Sequence, residues 1–78
     1  MRLADPATLE IGDRIRLIDM PNDPNPITAG TEGTIEAVTD LHFRDKPEYQ
    51  LIIKWDNGRR LSCICPPDLV ELMPQKAN

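Results

Sequence analysis

No stretch of this chain approaches the roughly 18 consecutive apolar residues that a membrane-spanning helix needs. Its first ten residues, MRLADPATLE, place Asp5 and Pro6 where a secretion signal needs its apolar stretch. Neither membrane insertion nor secretion is expected, and a cytoplasmic location is. Aromatics are scarce, with one Phe, one Tyr and one Trp, which leaves few platforms for stacking nucleic-acid bases. Basic charge is also in deficit. The formal net charge is −4, so the chain as a whole repels a phosphate backbone.

One His and two Cys make three soft metal ligands, one short of a closed tetrahedral zinc site, and the C-x₂₋₄-C spacing of such sites is missing. No metal and no cofactor is expected. Cys63 and Cys65 stand one residue apart. On a strand that puts both thiols on one face with Cα atoms about 6.5–7 Å apart, at or beyond the long edge of disulfide geometry. Free thiols fit a reducing cytoplasm, and half-buried cysteines serve as small hydrophobes. Nucleophilic catalysis would need a base to activate a thiol or hydroxyl and a third group to orient it. The single histidine, His42, lies among Arg44, Asp45 and Lys46 in a connecting segment. A chain this small is also expected to lack a concave pocket of about 300 Å³ or more. The expectation is therefore no enzyme.

What the 78 residues do contain is a series of short strand signals. A chain of this length buries only about 60% of its unfolded surface, so each apolar strand must contribute. Residues 1–11 read as an N-terminal extension with a short helical turn, capped by Asp5 and opened by Pro6, with Leu9 and Ile11 packing it. Residues 14–18 alternate charged with apolar, putting Ile15 and Leu17 inside and Arg14 and Arg16 in water. Residues 34–38 form a second strand, entered through Gly30 and Gly33, where unusual backbone angles are expected. Residues 49–55 are the clearest strand, with Tyr49, Leu51, Ile53 and Trp55 on one face. Asp56-Asn57-Gly58 signals a type I′ hairpin. Residues 59–65 return as a fourth strand with Leu61, Cys63 and Cys65 inward. Pro66-Pro67 end it, residues 67–69 read as a 3-10 turn, and residues 70–73 as a last strand. The tail beyond, residues 74–78, has nothing to bury and reads as disordered. With no repeat, linker or heptad, the expected fold is all-β: a small five-stranded antiparallel SH3-like barrel over residues 12–73, with a Pro-rich loop and a 3-10 turn before the last strand.

The segments GDRIRLIDMPNDPNPI, GTEGTIEAV and IIKWDNGRRL followed by PPDLVEL occur in an order that resembles an uncharacterised family of small bacterial and phage proteins, domain of unknown function 4314. The resemblance spans residues 12–72 and implies a fold without an activity. More distantly, GDRI followed by GTEGTI is similar to the KOW-type motif of SH3-like barrels, in which a glycine-containing loop touches RNA or protein. Fold likeness does not settle function.

Two surfaces are candidate sites. The loop PNDPNPITAGTEG is long for so small a domain and stiffened by three prolines, and long ordered loops tend to be functional. Its interaction residues are Met20, Asn22, Asp23, Asn25, Ile27, Thr31 and Glu32, with Met20 and Ile27 exposed. The expected partner is a protein, met through this loop and the connection at residues 41–48. The alternative is RNA or single-stranded DNA held by Arg14, Arg16, Lys54, Arg59 and Arg60. Residues 1–40 hold three basic and eight acidic side chains, a balance of −5; residues 41–78 hold six and five, a balance of +1. Phe43 is the one aromatic expected in water.

Overall fold

Apolar residues at alternate positions force each strand of this chain to turn one face inward, and the structure, a computed structural model, follows that pattern over the residues it describes, 3–42 and 45–74. The readings of Phe43 and of residues 75–78 lie outside the described residues. Five strands form: β1 (Arg14–Asp19), β2 (Glu32–Asp40), β3 (Tyr49–Trp55), β4 (Cys63–Cys65) and β5 (Leu69–Leu72). They make one antiparallel sheet in the order β4-β3-β2-β1-β5. A 3-10 turn over Pro6–Thr8 precedes them, with Pro6 at its start and the Asp5 carboxylate accepting from the Ala7 amide at 3.0 Å.

The core is built as the alternation requires. Ile15, Leu17, Ile35, Leu51, Ile53, Trp55, Cys63, Cys65 and Val70 are buried. Tyr49 is a partial exception. It is half-buried at the start of β3, paired with Asp40 and Cys65, and its ring meets His42 edge-on.

The sheet curls without closing. β4 and β5 are its two edges, yet only residues 66–68 join them, so Cys65 and Leu69 lie no more than about 14 Å apart. This makes the barrel an approximate one. Each edge is satisfied locally instead of by the other. At β4, the Asp68 amide donates to the Ile64 carbonyl at 2.9 Å, and the Asp68 Oδ2 accepts from the Ile64 amide at 2.9 Å. At β5, the Ala4 amide donates to the Val70 carbonyl at 2.9 Å and Leu3 bridges Glu71. The expected 3-10 turn before the last strand is replaced by this Asp68-closed turn.

Several boundaries differ from the sequence reading. β2 begins at Glu32, so Gly33 lies inside a strand, and an extra residue, Glu36, bulges the β2–β3 ladder between Ile35 and Ala37. Gly30 has the positive φ expected of it, +92°, whereas Gly33 is a glycine for want of space: an added Cβ would stand 2.7 Å from Ile53 Cγ2 and 3.0 Å from Trp55 Cε3. β4 is shorter than expected, preceded by an isolated Lys54–Arg60 bridge. The hairpin turn holds three residues, not the two of a type I′ turn. Trp55 N donates to Arg59 O, Gly58 N donates to Trp55 O, and Gly58 at φ +89° takes the left-handed position.

Candidate functional site

The five basic residues of the sequence reading do not form one positive patch. Register places Arg14 beside Thr34, Thr34 beside Lys54, and Lys54 beside Arg60, all on the outer face of the sheet. That face interleaves them with acids. Arg14 donates to both Asp56 oxygens at 2.8 and 2.5 Å and to Glu32 at 3.3 Å. Arg16 reaches Glu71 at 2.7 Å and Glu32 at 3.9 Å, and Arg60 reaches Glu36 at 2.8 Å. The hydrogen bonds from Arg14 hold the Asp56 carboxyl below the usual carboxylate range, and those to Asp56 raise the Arg14 guanidinium further.

Arg59 does something different. Its guanidinium donates to the Asn25 carbonyl at 3.0 Å and the Pro26 carbonyl at 3.3 Å, which ties the Pro-rich loop to the hairpin turn. The loop's two apolar side chains point the other way from the expectation. Met20 and Ile27 are buried in the core, because the open side of the sheet offers them apolar surface that water does not. Gly30 N donates to Leu17 O at 2.8 Å and Leu17 N to Thr31 O at 2.9 Å, so the loop's far end continues the sheet. Glu32 has left the loop for β2 and the outer charged face. Asn22, Asp23 and Asn25 remain together on the loop's rim, where Asp23 Oδ1 accepts from the Asn25 amide at 2.8 Å.

Concave space exists where none was expected. A groove of about 290 Å³ runs between the loop and β4, lined by Asn22, Asp23, Leu61, Ile64, Pro67 and Asp68. A second, of about 450 Å³, lies beside the covered β5 edge among Leu3, Ala4, Thr8, Leu72, Met73 and Pro74. Both are open to solvent, and they form because a sheet left unclosed has clefts along its capped edges.

The nucleophile candidates are sequestered. Cys63 and Cys65 are free and buried. Burial pushes both thiols up, helped by neighbouring carboxylates, with Cys65 raised to about 12 and Cys63 further still. At neutral pH both are protonated and unreactive. His42 Nδ1 is hydrogen-bonded to Asp40 Oδ1 out on the hairpin arm, and that bond lowers the Asp40 carboxyl. Among the described residues no three His, Cys, Asp or Glu side chains converge on a metal position, and no helix is long and apolar enough to cross a membrane.

A family model described as Domain of unknown function (DUF4314) matches residues 7–73. The chain belongs to this family. Searches of curated proteins and of solved structures find no match, and the more distant KOW-type likeness gains no support from the match. In this DUF4314 domain, sequence reasoning missed Asp68 and the groove it helps to line. One signal was present: Ile64 falls between Cys63 and Cys65, so an inward pair of cysteines leaves a β-branched apolar side chain facing out.

Proposed function

We propose that this DUF4314 domain is a non-catalytic protein-interaction module that presents its Pro-rich loop to a partner protein. The observation that carries the reading is the double anchoring of that loop. Buried Met20 and Ile27 hold it from below and Arg59 holds it from the side. Its rim, Asn22, Asp23 and Asn25, is thereby set out before any partner arrives, and a preorganised surface loses less conformational freedom on binding. The connection at residues 41–48 contributes the exposed Asp45, Lys46 and Pro47 to the same kind of polar surface. Its free thiols suit a reducing compartment such as the cytoplasm, and the family resemblance suits a bacterial or phage source.

The test is site-specific photo-crosslinking from position 22, compared with position 11, an exposed site on the turn before β1. A single partner protein captured from position 22, not from 11, and lost in Arg59→Ala, supports the reading. Capture that ignores either change overturns it. Binding of RNA or single-stranded DNA has weaker support, since Arg14, Arg16 and Arg60 are each paired with acids on the outer face. A gel shift at low salt that weakens steeply as salt is added would favour nucleic acid instead.

A further inference from the structure

We infer that the groove between the Pro-rich loop and β4 receives an arginine side chain of the partner protein, its guanidinium set between Asp23 and Asp68 and its methylene stem laid on Leu61, Ile64 and Pro67. This rests on the reading of the loop as a protein-docking surface and names the chemistry that the surface selects.

Asp68 is the one buried charged side chain among the described residues. It is nine-tenths buried, with 9% of its surface exposed. Its Oδ2 caps the Ile64 amide, while its Oδ1 has no hydrogen-bond partner among the described residues and is reached by solvent. A carboxylate held in that position without a counter-charge is costly. Its surroundings add to the cost. Burial raises the Asp68 carboxyl above its ordinary range; the Ile64 amide offsets part of this, and Asp23 and Asp19 raise it again.

Charge on the outer face of the sheet is treated differently. On the outer face Glu32, Glu36, Asp56 and Glu71 each have an arginine partner. No salt bridge among the described residues reaches Asp19, Asp23 or Asp68. Other described acids, Asp5, Glu10 and Asp13 among them, also lack a salt bridge but lie in reach of water, whereas Asp68 is buried, and the groove it lines with Asp23 has Leu61, Ile64 and Pro67 in its wall. At about 290 Å³ it is at the lower end of ligand-pocket sizes, roughly 300–1,000 Å³, which suits one long side chain better than a cofactor. A metal ion does not fit, since three ligating side chains do not converge there. Arginine fits better than lysine. Its planar fork can donate to two carboxylates at once, and it is more weakly hydrated than an ammonium group, so it enters a half-buried site more readily.

The experiment is an amide NMR titration of the whole chain with the capped tripeptide acetyl-Leu-Arg-Leu-amide, against the same peptide with citrulline, which keeps the shape and loses the charge. The arginine peptide is expected to move the Asp23, Ile64 and Asp68 amides along a saturating curve with a Kd on the order of 1 mM. Citrulline, or the variant Asp68→Asn, should weaken it by about tenfold or more. Asp68→Asn keeps an oxygen to accept the Ile64 amide, so the fold survives and a thermal melt confirms that it has. Asp23→Asn, which likewise keeps its acceptor for Asn25, should weaken binding alone. Equal binding of the citrulline peptide, or of the same peptide made with lysine in place of arginine, or shifts that avoid this groove, overturns the inference. Should position 22 still capture its partner from Asp68→Asn as well as from wild type, the arginine inference fails while the docking reading stands. Should position 22 capture nothing, the docking reading fails with it.

Discussion

Replacing Gly33 by alanine tests the packing at the centre of the sheet. Gly33 sits opposite Ile15 on β1 and Trp55 on β3. A methyl group there would meet Ile53 Cγ2 at 2.7 Å, the Lys54 carbonyl oxygen at 3.0 Å and Trp55 Cε3 at 3.0 Å. The carbonyl belongs to the β2–β3 ladder and cannot withdraw without breaking it, and Trp55 is only 1% exposed with its indole N–H bound to Leu61 O at 2.9 Å. Overpacking of this kind costs about 1–3 kcal/mol. In a domain of this size, about 2 kcal/mol lowers the melting temperature by roughly 8–16 °C. Urea unfolding followed by Trp55 emission reads both the stability and the local disturbance. Gly30→Ala is the control, because its methyl meets nothing within 4 Å but its φ of +92° strains any side chain. That variant should lose about 1 kcal/mol with native Trp55 emission unchanged. A Gly33→Ala protein with wild-type stability and emission would refute the packing argument.

Three further outcomes are expected. A double-mutant cycle on Arg14→Ala and Asp56→Asn should give a coupling of about 0.5–1 kcal/mol, discounted for a pair that is half in water and smaller at high salt. Because the folded Asp56 carboxyl is depressed, that coupling is present above the unfolded carboxylate value and lost as pH falls through the folded one. Asp68 titrates with the opposite sign. Its folded carboxyl is raised, so stability declines as pH rises from the unfolded value through the folded one, and Asp68→Asn should melt higher than wild type at pH 7 with the gain vanishing in acid. Cys63 and Cys65 should resist iodoacetamide at pH 8 while the chain is folded and react fully in denaturant; rapid native labelling would contradict their burial.

The strands were legible because their signal is local. Alternation in residues 14–18 and 49–55, the glycine of the hairpin and the Asp5-Pro6 start of the 3-10 turn depend on neighbours within a few positions. Met20 and Ile27 illustrate the limit. Apolar residues flanking a Pro-rich run read as exposed, and only the open side of the sheet gives them somewhere to go. Asp68 illustrates it again, since two prolines and an aspartate read as a turn whether or not a strand edge lies within reach of the carboxylate.

By itself, then, the order of side chains determined an all-β domain of five short antiparallel strands with a thiol-lined, tryptophan-centred interior, because a pleated strand shows its two faces every second residue. Tertiary structure alone decided that the sheet stays unclosed, that Arg14 meets Asp56 and Arg59 meets the loop, and that Asp23 and Asp68 line one groove beside apolar side chains. Those pairings join residues up to 42 positions apart. Charge and shape act through space, and the period of a strand carries no information about what the curled sheet brings alongside it.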